Sequence, residues 1–324
     1  MKALRYTPAG LQLDANAPLP IPARGETLVK TRLAGICRTD LELTKGYMGF
    51  HGILGHEFVG ELAEDGEIGA AGTRVVGEIN AGCGECPACR QDMERHCPHR
   101  TVLGILGRDG CMAEYLTLPN RNLLAIPDNL SDEDAVFSEP LAAALEIFEQ
   151  WHIQPTHRVC ILGDGKLGLL IALAAAHRHE GDLLLIGHHE ENLAIVNDRM
   201  RTVMEQQLDA AEYKRWDFAI EATGRSSGFA LAMKLAKPRG VIVLKSTMAQ
   251  SEALDLTPLV IDEIAVTGSR CGRLQPAIHL LARGVLPISR LVEAVYPLKE
   301  AEAAWKRASQ AGAKKVMLRM MNDE

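Results

Sequence analysis

A chain of 324 residues, 47% hydrophobic and 24% charged, is sized for about two globular domains of ordinary soluble composition. Its net charge of −7 (35 basic against 42 acidic residues) and its 4% aromatic content argue against a nucleic-acid surface, which needs clustered cations and stacking rings. No apolar run approaches the roughly 20 residues of a membrane span, and Met1-Lys2-Ala3-Leu4-Arg5-Tyr6 lacks a signal-peptide core, so a cytoplasmic protein with no membrane partner is expected.

The first part of the chain reads as β-rich, with short strands at 27–33, 57–62 and 73–79 punctuated by Gly and Pro. Pro18, Pro20 and Pro22 keep the early segment extended. Eight cysteines in a cytoplasmic chain point to metal or reactive thiols rather than disulfides. Four of them, Cys83, Cys86, Cys89 and Cys97, follow the spacing C-x2-C-x2-C-x7-C. Four thiolates so close fill a tetrahedral shell without water, which is the pattern of a structural zinc. His96 and His99 beside them are expected to face solvent, because the shell is already complete. Other metal-ligand types are scattered: Cys37 in Gly35-Ile36-Cys37-Arg38-Thr39-Asp40, the pair His56-Glu57, and Glu139 in Ser138-Glu139-Pro140. A catalytic zinc takes three protein ligands and leaves a fourth position open. Taken singly, each residue also fits a plainer account, as a buried thiol, a satisfied core histidine or a surface acid.

The pattern changes near residue 131. Ser131 followed by Asp132, Glu133 and Asp134 reads as a helix start, leading into an apolar helical run at 141–151. Strands are expected at 158–162, 182–186, 201–204, 216–221, 240–244 and 264–268, and helices at 166–178, 192–200 and 229–235. Short apolar strands alternating with helices indicate a parallel α/β sheet. Gly163-Asp164-Gly165-Lys166-Leu167-Gly168 fits the dinucleotide turn, and it gains meaning from following a strand and opening a helix. An acid that binds the ribose of NAD is expected about 20 residues on, at the end of the second strand. That position is Gly187, followed by His188 and His189. An acid there would repel a 2′-phosphate and a histidine would hold it, so NADP is favoured over NAD; the alternative places Glu190 or Glu191 on the ribose. The tail is expected to form helices at 275–282 and 301–308 and strands at 291–296 and 315–318.

In combination, Gly35-Ile-Cys37-Arg-Thr39-Asp40, Gly55-His56-Glu57-Phe-Val-Gly60, the four-cysteine lobe, Glu139-Pro-Leu, the glycine turn and Glu221-Ala-Thr223-Gly224 resemble the zinc-dependent medium-chain dehydrogenase/reductase family, in the family's order and over essentially the whole chain. The resemblance implies an α/β protein in three parts: a GroES-like β-rich catalytic domain over 1–130 with its zinc lobe at about 80–100, a Rossmann doubly wound parallel-sheet domain over 131–272, and a return to the catalytic domain over 273–324. The active site would lie in the cleft between the domains. Two zinc ions per chain are implied, one structural and one catalytic. Cys37 and His56 become ligands of the catalytic zinc; Glu57 binds it or exchanges with its water; Glu139 stands where many alcohol dehydrogenases use a third cysteine, in the manner of the polyol, glucose and threonine dehydrogenase branch. Asp40 would orient His56, Thr39 would relay a proton, and Arg38 would meet the cofactor pyrophosphate. Gly163, Gly165, Lys166, Leu167, Gly168, Gly187, His188, His189 and Thr223 form the implied cofactor set. Tyr47, Met48, Phe50 and Leu106 are candidates for the substrate cleft. Glu42 departs from the pattern, since some alcohol dehydrogenases carry a relay histidine there. The implied reaction is hydride transfer between an alcohol, such as a polyol or sugar hydroxyl, and its aldehyde or ketone, in a homodimer or homotetramer. The rivals are a non-catalytic NADPH sensor and a zinc-independent reductase of the same fold.

Overall fold

The computed structural model describes residues 1–247 and 253–320. They fall into two compact units, Met1–Glu139 with Arg273–Glu324, and Pro140–Gly272.

The first unit is organised on the long strand Glu26–Gly35. Thr27, Val29, Thr31 and Leu33 turn inward while the residues between them stay half-exposed, the period-two pattern of a strand with one face on a core. From Leu33 to Gly35 every residue is buried, and here the strand runs beneath the candidate site. It sits within a sheet ordered Leu123–Ala125, Arg74–Gly77, Glu57–Leu62, Glu26–Gly35, Lys315–Arg319, Val292–Pro297, with Tyr115–Pro119 also paired to it. The tail strand Lys315–Arg319 therefore lies antiparallel beside Glu26–Gly35, with Met317 opposite Gly35. The strand expected at 73–79 is shorter, Arg74–Gly77; a Cβ on Gly77 would press on Leu118 and Phe58, and beyond it the Glu78 N–H donates to the Asn122 carbonyl.

Ser131 caps the one-turn helix Asp132–Ala135 by accepting the Asp134 N–H at 3.1 Å. Arg32 and Arg74 reach Asp132 from the sheet at 2.6 and 3.1 Å, which fastens that turn over the strands. The apolar run expected at 141–151 lies in the helix Ser138–Gln150. Residues 83–100 hold only 3-10 turns, beside the small sheet Asn80–Ala81, Thr101–Leu103 and Gly107–Arg108.

In the second unit six strands run parallel in the spatial order Arg201–Met204, Leu183–Gly187, Val159–Leu162, Trp216–Glu221, Ala236–Leu244, Ala265–Gly268. Numbered along the chain this is 3-2-1-4-5-6, the order of the doubly wound dinucleotide fold. Val159–Leu162 and Leu183–Gly187 are buried at every residue, so they read as continuous apolar runs rather than alternations. The helix expected at 192–200 is reduced to Glu190–Leu193. Asn192 turns its amide onto the Asp164 carbonyl at 2.9 Å, and Asn197-Asp198 favour turns over a helix interior.

Trp216 anchors this sheet. It is fully buried, with the Arg201 and Arg215 guanidinium groups 5.6 and 5.9 Å from its ring centre. Trp216→Ala is expected to cost about 4 kcal/mol of unfolding free energy, read from urea denaturation followed by circular dichroism.

Candidate active site

Cys37 lies just past the end of Glu26–Gly35, in extended backbone, and caps the helix Arg38–Leu43. Its N–H donates to Asp40 Oδ2 at 2.8 Å, so the carboxylate sits under the turn. The other Asp40 oxygen stands 3.2 Å from His56 Nδ1. Glu57 opens the neighbouring strand directly opposite Gly35. The potential ligand atoms of Cys37, His56 and Glu57 lie within 4.8 Å of one another.

All the charges here are out of water: Asp40, His56, Glu57 and Lys315 are each buried. Lys315 is the residue that sequence reasoning missed. Its ammonium forms a salt bridge with Glu57 Oε2 and lies 5.7 Å from the centre of the Phe137 ring. The only signal in the sequence was a lysine leading the apolar strand Lys315–Arg319, where a buried strand start has no ordinary use for a charge. Gly35 is needed for this pair, because a Cβ there would run into the Glu57 carboxylate and the Lys315 chain. Burial alone would lower the Lys315 ammonium, but the Glu57 charge beside it holds it above its ordinary value. Burial also works against His56 carrying charge, and is outweighed by Asp40 and Cys37, which raise it well above the usual imidazole range. Buried Cys111 donates its thiol to the Glu57 carbonyl at 3.6 Å, and burial pushes that thiol up, so it stays neutral.

This donor set fits a metal. Among the described residues Glu57 Oε1 is buried with no hydrogen-bond partner, although its twin oxygen is engaged by Lys315. A thiol, an imidazole and a carboxylate oxygen at this spacing form a mixed S/N/O set of the kind zinc takes, one short of its usual four ligands. Glu139 stands outside the 4.8 Å group, in the first turn of Ser138–Gln150, and its charge helps hold Lys315 up. Thr39 Oγ1 lies 3.9 Å from Cys37 Sγ. Exposed Arg38 is paired with Glu42 at 2.7 Å, and Lys45 meets the same carboxylate at 3.1 Å. Phe50 is buried, Met48 is exposed at a positive φ of 57°, and Leu106 is exposed in the turn after Thr101–Leu103.

In the lobe, the sulfurs of Cys83, Cys86, Cys89 and Cys97 also lie within 4.8 Å of one another. Backbone N–H groups of Cys83 and His99 donate to Cys97 Sγ at 3.4 and 3.3 Å. The N–H groups of Glu85 and Cys86 hold the Cys83 thiol down to about 6, while burial pushes Cys89 up to about 12. Four sulfurs this close cannot all ionise without a cation among them, so the cluster too fits a metal. His96 and His99 are exposed, as the complete sulfur shell led us to expect.

The glycine turn follows Val159–Leu162 and opens the helix Lys166–Arg178. Gly163 takes φ +108°, and a Cβ there would lie 3.0 Å from the Ala222 carbonyl. A Cβ on Gly168 would overlap the Gly163 oxygen, so helix and strand approach to a distance only glycine permits. Nothing lies within 4 Å of a Cβ at Gly165, which leaves the ground before the helix N-terminus open to a pyrophosphate. Lys166 and Leu167 are half-buried in the first turn. Thr223 closes the end of Trp216–Glu221: its N–H donates to the buried Glu221 carboxylate at 2.6 Å and its hydroxyl donates to the same oxygen.

Residues 23–128 match the model of the alcohol dehydrogenase GroES-like domain. The chain is 29% identical to L-threonine 3-dehydrogenase of Coxiella burnetii (strain RSA 493 / Nine Mile phase I), across 94% of this chain and 95% of the relative. It is 28% identical to sorbitol dehydrogenase of Bacillus subtilis (strain 168), across 90% and 89%. A protein named as a zinc-binding dehydrogenase from Sinorhizobium meliloti 1021, solved with NADP bound, superposes with a TM-score of 0.88 at 28% identity over 98% of each chain. Over nearly its whole length the chain resembles the zinc-binding medium-chain dehydrogenases. The resemblance read from its motifs holds, and so does the fold class: a GroES-like domain together with a Rossmann-type parallel sheet.

Lys315 and Glu57 act as one neutral unit. Lys315→Met is expected to lower stability by about 3–5 kcal/mol, because it leaves the Glu57 charge buried and alone. Adding Glu57→Gln should recover most of that loss, as measured by urea denaturation of both variants.

Proposed function

We propose that this dehydrogenase interconverts an alcohol, of the polyol, sugar or amino-alcohol type, and its aldehyde or ketone, with zinc and a nicotinamide dinucleotide. The observation that carries the reading is the donor set of half-buried Cys37 with buried His56 and Glu57, in which Glu57 Oε1 lacks any other partner among the described residues. The threonine and sorbitol dehydrogenases similar to this chain support the substrate class.

Cys37, His56 and Glu57 would hold the catalytic zinc, with Glu139 near enough to influence the site through Lys315. Zinc supplies a Lewis acid for the substrate oxygen, and the dinucleotide exchanges the hydride. The chain's own residues do the rest. Asp40 sets a negative charge 3.2 Å from His56 Nδ1, which leaves Nε2 as the nitrogen for the metal position. Lys315 holds one Glu57 oxygen and so limits how far the carboxylate can travel. Thr39 offers a hydroxyl beside Cys37 that can take the proton leaving an alcohol. Glu42, on the same helix, is gripped by Arg38 and Lys45.

The second zinc is assigned to Cys83, Cys86, Cys89 and Cys97, as a brace for a lobe with little secondary structure of its own. NADP over NAD is supported by Gly187 with His188 and His189, and by the NADP found on the Sinorhizobium meliloti protein. Arg38, Gly163, Gly165, Lys166, Leu167, Gly168 and Thr223 complete the proposed cofactor set. A homodimer or homotetramer is supported by the strand Ala265–Gly268, which ends the sheet order, and by Val260 and Ile261 near it, 79% and 71% exposed. Eight free cysteines accord with the reducing cytoplasm.

Screening NAD and NADP reduction against polyols, sugars, threonine and simple alcohols tests the reading, with metal analysis of the same sample. Two zinc ions per chain are expected. Cys37→Ser and His56→Ala should each lose one of them and fall to background turnover, with the circular dichroism spectrum retained. Full turnover in metal-stripped protein, or tight NADPH binding with no turnover on any substrate, would overturn it. Cys97→Ser should lose the other zinc and lower the melting temperature.

A further inference from the structure

At the end of the second strand of this sheet order, a side chain normally reads the adenosine ribose. Gly187 offers none, and the structure explains why. A Cβ at Gly187 would lie 2.6 Å from Asp164 Cβ, Cγ and Oδ2. The place of the absent side chain is filled from the glycine turn, by the variable residue between Gly163 and Gly165.

Asp164 does not itself face outward; it is 4% exposed. Its Oδ2 accepts the N–H groups of His188 and His189 at 3.0 and 2.6 Å. Its two oxygens lie 3.2 and 3.1 Å from His189 Nδ1. Its main-chain carbonyl accepts the Asn192 amide at 2.9 Å. The segment after Leu183–Gly187 is thereby locked to the glycine turn. The His189 side chain is 40% exposed, and with Nδ1 engaged by Asp164 only Nε2 is left to meet a ligand. His188 is differently placed, with Nε2 3.0 Å from Glu205.

We propose that Asp164 is a positioning residue that holds His189 with Nε2 toward the 2′ substituent of the cofactor's adenosine ribose, and so sets the choice between NAD and NADP. The proposal rests on the dinucleotide reading above. The chemistry of the ring supplies the discrimination. With Nδ1–H given to Asp164, a neutral ring can only accept at Nε2, which suits a 2′-hydroxyl. A charged ring donates there, which suits a 2′-phosphate. A ring held in one orientation loses less freedom on binding than a mobile one. Asp164 reaches the ribose only through His189, so the two should not act independently.

The test is the pair of dissociation constants for NADPH and NADH, from nicotinamide fluorescence, on full-length wild type, Asp164→Asn, His189→Ala and the double variant. Each single variant is expected to change the NADPH-to-NADH ratio about ten-fold, the worth of one charge-assisted hydrogen bond. The double variant should match His189→Ala alone, since removing the positioning residue has no further effect once the ring is gone. Asp164→Ser, whose hydroxyl still accepts a backbone N–H, takes the place of Asp164→Asn if circular dichroism finds the latter unfolded. Equal losses for both cofactors, additive losses in the double variant, or an unchanged ratio in His189→Ala would overturn the proposal. Tighter NADH binding by the wild type speaks only against the NADP preference, because the ratio change and the cycle still decide the role of Asp164. Wild type that binds neither dinucleotide would sink both.

Discussion

The candidate metal centre depends on one constraint: buried charges must balance. Two carboxylates, Asp40 and Glu57, stand out of water within reach of Cys37. Isolated buried ions of this kind cost several kcal/mol each, so the site exists only because opposite charge is brought to each. Asp40 has the Cys37 N–H and the His56 ring, and Glu57 has Lys315. One Glu57 oxygen and one sulfur are left over, and these are what a dication would complete. The sheet register serves this arithmetic. Gly35 lies opposite Glu57 on one side and Met317 on the other, so the strand carrying Lys315 and the strand carrying Glu57 flank the one residue small enough to let them meet.

The same economy of space governs the second unit. Gly163, Gly168 and Gly187 are each placed where a Cβ would collide with a named neighbour: the Ala222 carbonyl, the Gly163 oxygen and the Asp164 carboxylate. The first two are close approaches of backbone that the glycine turn itself demands. The third records one position filling the space of another, since the Asp164 side chain from the turn lies where a side chain at Gly187 would sit.

Much of this was legible in the sequence because it is local. The spacing of Cys83, Cys86, Cys89 and Cys97 is a local fact, and so are the glycine turn, the Ser131 cap and the apolar strands of the parallel sheet. Cys37, His56 and Glu57 were recognised from short motifs, and the structure brings them together. What escaped was tertiary. Lys315 is 258 residues from Glu57, and no periodicity links a lysine to a partner at that distance. Asp164 stands between two glycines of the turn, and its bonds to His188 and His189 appear only when the end of Leu183–Gly187 is laid against the turn. The helix expected at 192–200 failed for a related reason. An apolar pattern was present, but the side chain of Asn192 was already committed to Asp164.

The position of Lys315 in the chain also has a consequence for biosynthesis. The sheet of the first unit is closed by Lys315–Arg319, and everything between residues 140 and 272 must leave the ribosome before that strand does. At about 5–20 residues per second, Glu57 therefore spends on the order of tens of seconds without its cation. During that interval the edge of Glu26–Gly35 that will pair with the tail is unfilled, while the second unit, being continuous, already has its whole sequence available for folding. The order of assembly is thus written into the chain: the parallel sheet of the second unit can form during synthesis, and the Glu57–Lys315 pair can be completed only near its end.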